Sequence, residues 1–258
     1  RHGEFQEMQN TRELSPGGGM QGYFWVEPNG YATRAQWGFW LDEALAYKAG
    51  QFADISIESL SGVSRSYSFA TPVQPDSQVS FFVRRVPGGV FSSAINDGNV
   101  VGQSVTIDGP AGDFWLRPSD APILLVAGGS GLAPVLALLK DAVAHGVSRP
   151  VALPFGAREE RDLYALDEIQ EIARQWRGPF KFIPVLSAAA ADASWRGERG
   201  LVIDKIPMVL AAGTHAYLCG PPPMIDSAVA LLKLHGVPAE YIHADRFTTL
   251  QDAVAVAA

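Results

Sequence analysis

The chain has 258 residues, of which 47% are apolar and 18% charged, an ordinary globular composition with material for two cores. A net charge of −7 with scattered basic side chains argues against nucleic acid, which needs a basic stripe. The one cysteine, Cys219, cannot form an intrachain disulfide or hold an iron–sulfur cluster, which takes about four thiolates. No apolar run nears the ~20 residues of a membrane helix, and the N-terminus lacks a basic-then-apolar signal pattern. The expectation is a cytoplasmic protein with no membrane partner and no metal site.

Residues 1–20 are polar and end in Ser15-Pro16-Gly17-Gly18-Gly19, which reads as a linker, an unpacked lead-in or the remnant of a domain upstream. Residues 21–118 read as short strands. Phe52-Ala53-Asp54-Ile55-Ser56-Ile57 alternates apolar and other residues, and Val79–Val83 and Ser104–Ile107 are β-rich runs. Turn signals stand between them, among them Ser61-Gly62, Thr71-Pro72 and Pro87-Gly88-Gly89. Tyr23–Leu41 is rich in aromatics and allows only approximate strands. The spacing suggests an antiparallel barrel or sandwich.

After Pro118 the pattern changes. Pro122–Ala127 is a continuous apolar run, as in a buried parallel strand, followed by a glycine-rich turn and helical spacing over Val135–Ala144. Val151–Phe155, Phe182–Val185 and His215–Cys219 read as further strands, with Pro184 suggesting an edge or a strand end. Leu166–Trp176 and Pro223–Leu234 read as helices. Strands alternating with helices predict a parallel-sheet α/β domain over residues 119–258.

Four motifs carry chemistry, and each also has a plain structural explanation. Arg65-Ser66-Tyr67-Ser68 puts a cation and a flat ring on one strand face, which suits a ligand with a phosphate and a planar ring; a solvated strand face has the same pattern. Gly88-Gly89-Val90-Phe91-Ser92 offers backbone amides and a hydroxyl to an anion, or is a strand-to-helix turn. Gly129-Ser130-Gly131-Leu132-Ala133-Pro134 follows a buried strand and opens a helix, whose positive end attracts a pyrophosphate. It lacks the third glycine of the usual dinucleotide fingerprint. Cys219-Gly220-Pro221-Pro222-Pro223-Met224 ends a predicted parallel strand, where open α/β sheets bind ligands, although a lone thiol is most often a small buried residue.

Taken in order, the four motifs resemble the ferredoxin–NADP reductase superfamily, and within it the FAD/NADH reductase components of bacterial multicomponent oxygenases. Gly50-Gln51-Phe52, Gly109–Phe114, Gly156-Ala157-Arg158 and Asp162-Leu163-Tyr164 add to the likeness, which runs from about Ala49 to the C-terminus. The resemblance implies an antiparallel FAD-binding β-barrel followed by a parallel-sheet nucleotide-binding domain. It implies hydride transfer from NADH to FAD, with NADPH the less favoured donor, and then single electrons to a 2Fe–2S ferredoxin domain or an oxygenase component. With one cysteine, the next carrier is expected outside this sequence.

The roles it implies are as follows. Arg65 pairs with the FAD pyrophosphate, Tyr67 lies against the flavin ring with Ser66 beside it, and Ser68 bonds near flavin N5. Gly88, Gly89, Val90 and Ser92 hold the phosphates, and Val83 and Arg84 lie beside the adenosine. Gly129, Ser130, Gly131, Leu132 and Pro134 face the dinucleotide. Arg158 stands where a 2′-phosphate is read, among acidic residues that favour NADH. Cys219, Gly220, Pro221 and Met224 place the nicotinamide, and Asp245 and Phe247 form a C-terminal acidic-x-aromatic segment near the flavin. Ser68, Tyr67 and Cys219 are the residues expected to touch the reacting rings. A free flavin reductase and a non-catalytic NAD(H)-sensing module are the competing functions.

Overall fold

The computed structural model describes residues 21–25, 34–41, 45–98, 100, 103–189 and 194–248. The lead-in expected over residues 1–20 lies outside them. The chain divides into two compact units, 1–112 and 113–258.

The first unit holds β1 (Gln21–Trp25), β2 (Arg34–Trp40), β3 (Phe52–Ile57), β4 (Ser64–Ser68), β5 (Gln78–Arg84), α1 (Val90–Asn96) and β6 (Val105–Ala111). All its ladders are antiparallel, in two three-stranded sheets ordered β1-β2-β5 and β4-β3-β6. The period-2 pattern explains β3: Ala53, Ile55 and Ile57 point into a core they share with Trp37, Phe69, Val79, Phe81, Val83, Phe91 and Ile95. The expected barrel is not closed among the described residues. Between β4 and β5 the chain passes Pro72, Pro75 and Ser77 at φ 60°, none of which suits a ladder. One backbone hydrogen bond, Ala70 N–H to Ser80 O at 2.8 Å, links the two sheets there.

The second unit holds β7 (Ile123–Gly128), α2 (Leu132–Ala144), β8 (Val151–Ala157), α3 (Leu166–Gln175), β9 (Phe180–Leu186), β10 (Glu198–Arg199), β11 (His215–Gly220), α4 (Pro222–Leu234) and β12 (Ile242–Arg246). Its six strands are all parallel, in the order β10-β9-β8-β7-β11-β12. β7 is buried at every position, as its unbroken apolar run requires. β9 is the second strand from the edge and Pro184 lies inside it, not at an edge strand or a strand end; the proline is tolerated because β9 pairs with β10 through Val185 and Leu186, beyond it. β10 and β12 carry no strong sequence signal, being two residues of Glu-Arg and the mixed Ile-His-Ala-Asp-Arg.

Candidate cofactor-binding sites

In the first unit, β4 pairs with β3 in the register Ala53↔Tyr67 and Phe52↔Ser68. Arg65 and Ser66 are exposed, Tyr67 is half-buried and Ser68 is 6% exposed. Arg65 donates to the Ser64 carbonyl at 2.6 Å. Ser66 donates a short hydrogen bond to Asp54. The Tyr67 ring stacks on Phe91 at 5.8 Å and 29°. Burial pushes the Tyr67 hydroxyl up to about 12 against the opposing pull of Arg65, so it stays a neutral donor.

The turn after β5 is built by Ser92, whose hydroxyl accepts from Val86 N–H at 3.0 Å and donates to the Gly89 carbonyl at 3.3 Å. Gly88 has φ +72° and open space around its α-carbon, while a Cβ at Gly89 would stand 2.7 Å from Ser92 Oγ. Among the described residues no side chain caps α1, and the N–H of its N-cap residue Gly89 bonds the Val86 carbonyl at 2.9 Å. Val90 and Arg84 are exposed beside this turn. Val83 is fully buried, so its side chain belongs to the core. A flat ring system carrying a pyrophosphate, as in FAD, fits the donors and the cradle that this unit offers.

In the second unit the strand order reverses between β7 and β11, and ligands of such sheets bind at the carboxyl ends of the strands there. Four stretches lie at that end: Gly129–Pro134 after β7, Arg158 after β8, Gly220–Met224 after β11, and Asp245 and Phe247 at the end of β12. Gly129 takes φ +54°, which a residue with a Cβ rarely adopts. Among the described residues no side chain caps the helix that starts at Leu132. Leu132 and Pro134 are buried, so Gly129 and Ser130 present the surface of this turn. Pro134 sits in the first turn of α2, where its missing N–H costs nothing. Met224 lies across the turn: its Cε stands 3.1 Å from where a Cβ on Gly128 would be, and 2.7 Å for Gly220. Pro221 is exposed and caps α4.

Cys219 is fully buried and pairs in register with Asp245, with Sγ 4.0 Å from Oδ2. Burial, then the Asp245 charge, holds the Cys219 thiol well above its ordinary value, so it is neutral at physiological pH. Burial, then Asp113, raises the Asp245 carboxyl to about 6. Phe247 N–H bonds the Gly220 carbonyl at 2.9 Å and draws the end of β12 against β11.

Tyr164 and Asp113 carry weight that the motifs did not assign. The Tyr164 hydroxyl donates to the Gly129 carbonyl at 3.2 Å and also lies 3.4 Å from the Ser130 carbonyl, bracing the glycine turn. A half-buried tyrosine needs such a partner, but its sequence position does not say which. Among the described residues no group of His, Cys, Asp and Glu is arranged to hold a metal, and no helix is long and apolar enough to cross a membrane.

A glycine turn at the switch point of a parallel sheet, following an antiparallel unit with a glycine turn of its own, is the arrangement of a protein that binds two phosphate-bearing cofactors. Residues 37–115 match the oxidoreductase FAD-binding domain model, and residues 125–230 the oxidoreductase NAD-binding domain model. The chain is 45% identical over 207 residues to the xylene/toluene monooxygenase electron transfer component of Pseudomonas putida, spanning 80% of this chain and 59% of that protein. It is 37% identical to the propane 2-monooxygenase reductase component of Mycolicibacterium goodii, over 79% of this chain and 60% of that one. The crystal structure of the Amycolatopsis cytochrome P450 reductase GcoB superposes with a TM-score of 0.79 at 33% identity, over 90% of this chain and 70% of that one. The chain therefore belongs to the ferredoxin–NADP reductase family of FAD- and NAD-binding oxidoreductases. It spans about three-fifths of the length of the curated relatives it matches.

Proposed function

We propose that the protein passes a hydride from NADH to FAD and then delivers single electrons to an iron–sulfur domain or an oxygenase component, in the cytoplasm. The observation that carries this reading is the pairing of Cys219 with Asp245 beside the Gly129 turn, all at the carboxyl end of one parallel sheet, in a chain that matches both cofactor domains. Names of relatives as electron transfer or reductase components of oxygenases support the choice of acceptor.

When bound, the nicotinamide and flavin supply the hydride donor and acceptor; the protein binds, orients and excludes water. In this reading Arg65 supplies a cation to the FAD pyrophosphate, and the turn of Gly88, Gly89 and Val90 holds its phosphates, with the Gly89 N–H itself tied to the Val86 carbonyl at 2.9 Å. Ser92 keeps that turn in shape through its bonds to Val86 and Gly89. Tyr67 offers a flat face and a hydroxyl that never ionises near neutral pH. Ser68 supplies a small donor at flavin N5. Gly129, Ser130 and the start of α2 receive the dinucleotide pyrophosphate. Cys219, small and neutral, leaves room for the nicotinamide, and Asp245 is placed to hold a proton on its carboxylate near pH 6.

NADH is favoured over NADPH because Arg161 is already bonded to Glu159 at 2.9 Å and two further acidic residues, Glu160 and Asp162, stand in the same turn. The flavin spectrum of the purified protein, followed by NADH titration without air, tests the reading. Bound flavin that bleaches with one equivalent of NADH supports it. A protein that loses its flavin on gel filtration but reduces free FAD is instead a flavin reductase. Absence of any NADH-driven ferricyanide reduction leaves an NAD(H)-sensing module.

A further inference from the structure

Cys219 and Asp245 are the last rung of a ladder. Side chains alternate along a strand, so residues 215, 217 and 219 of β11 share a face with 241, 243 and 245 beside them. The rung below is Tyr217 and His243, whose rings stack at 4.8 Å and 26°. Beneath it His215 stacks on Tyr241 at 4.3 Å and 16°.

The segment that opens the second unit is pinned to this ladder at Tyr217. The Tyr217 hydroxyl, fully buried, accepts the Arg117 backbone N–H at 2.8 Å, and Phe114 meets the Tyr217 ring edge-on at 6.1 Å. The Arg117 guanidinium turns back to donate to the Asp113 carbonyl at 2.8 Å, with the Asp113 carboxylate at 3.5 Å. Arg149, 8% exposed, donates to the Arg117 carbonyl at 3.1 Å from the other side. Tyr217 is thus the common neighbour of the Cys219–Asp245 rung and of the segment that carries Asp113.

We propose that Tyr217 is a positioning residue for the Cys219–Asp245 pair: its ring sets the spacing of β11 and β12 directly beneath that pair, and its hydroxyl holds the Asp113–Arg117 segment against the same ladder, where Asp113 lines one pocket with His243, Ala244 and Arg246. The proposal rests on the functional reading above, which gives that pair its place beside the nicotinamide. The charged and titratable groups around it are Asp113 and Arg117 from the opening segment, Arg149 from before β8, His215 and Cys219 from β11, His243 and Arg246 from β12, and Asp226 and Lys233 from α4. Of these, Asp113 is the one that raises Asp245 after burial has done so.

Tyr217→Phe keeps the ring and removes the hydroxyl that accepts the Arg117 N–H and also bonds the Arg149 guanidinium. Asp113→Asn keeps the tether and removes only the charge. The test is the carboxyl titration of Asp245 by carbon-13 NMR in the full chain, with hydrogen exchange of residues 113–117 alongside. Both variants are expected to lower the Asp245 midpoint by about half a unit or more. Tyr217→Phe alone is expected to speed exchange in the segment by about 10-fold or more. A folded Tyr217→Phe protein with wild-type titration and wild-type exchange overturns the proposal. Failure of NADH to reduce the wild-type flavin overturns the functional reading instead, and the titration still decides this one.

Discussion

Gly131 lies so close under Cys219 that a methyl group on its α-carbon would overlap the Cys219 carbonyl carbon and oxygen. The glycine turn after β7 and the end of β11 are therefore fitted backbone to backbone, with no side chain between them. Gly131→Ala forces one of them to move. The expected cost is about 1–3 kcal/mol, as for overpacking elsewhere in cores, together with weaker NADH binding. Gly88→Ala is the control, since Gly88 has open space and only its φ of +72° to lose, at about 1–2 kcal/mol. Thermal melts with and without NADH separate the two: only Gly131→Ala is expected to lose the stabilisation that NADH confers.

Asp245 makes stability depend on pH in an unusual direction for a carboxylate. Its folded-state value, about 6, lies above its ordinary 3.8, so between those values the folded chain holds more protons than the unfolded one. Its contribution is fully present below about pH 4 and is lost as pH rises through 6. Asp245→Asn removes the charged form, so the variant is expected to gain up to about 2–3 kcal/mol on wild type at pH 8 and nothing at pH 4. Denaturant melts at the two pH values check this; an equal difference at both sinks it.

Much of this architecture is legible in the sequence because it follows local periodicity. β3 shows strict alternation, β7 an unbroken apolar run, and α4 begins on prolines, and each of these forms where its pattern places it. β12 was not legible as a strand, because Ile-His-Ala-Asp-Arg has no β pattern of its own and is placed by its pairing with β11. Which of the two expected forms, barrel or sandwich, the strands of the first unit take was not legible either; among the described residues they form two three-stranded sheets, with Pro72, Pro75 and Ser77 between β4 and β5. At the site, Gly129 and Gly131 announced a tight turn, and Cys219 a strand end. That Leu132 and Pro134 face inward, and that Tyr164 braces the turn, are consequences of tertiary packing.

Arg65 and Ser68 sit on the same strand but are expected to fail differently. Arg65 is exposed, bonds its neighbour's carbonyl and lies beside the Tyr67 hydroxyl, with no ion pair among the described residues, which leaves its cation available to a pyrophosphate. Arg65→Ala is expected to weaken FAD retention by about 10–100-fold, the range of a charge-assisted hydrogen bond. Full flavin after dialysis argues against that role. Ser68 is nearly buried, at 6% exposure, so Ser68→Ala is expected to keep its flavin and to slow flavin reduction about 10-fold. Cys219→Ala is expected to behave likewise, with stopped-flow reduction at wild-type speed as the contrary result.

The turn after β8 allows a test of nucleotide choice. Glu159 caps the turn with its backbone N–H bonded to Asp162 at 3.2 Å, while its carboxylate holds Arg161 at 2.9 Å. Arg158 and Arg161 are thus one cation without an ion pair among the described residues and one already neutralised. Glu159→Gln removes a negative charge that would repel a 2′-phosphate and releases Arg161 to meet it. The backbone part of the cap is untouched, so the fold of the turn is kept. Because a guanidinium–phosphate contact contributes about 1.5–3 kcal/mol, kcat/KM for NADPH is expected to rise about 10-fold, with NADH changed less than about twofold. Steady-state kinetics with both nucleotides decides it: a variant whose NADPH constant stays at the wild-type level places the nucleotide's 2′-position away from this turn.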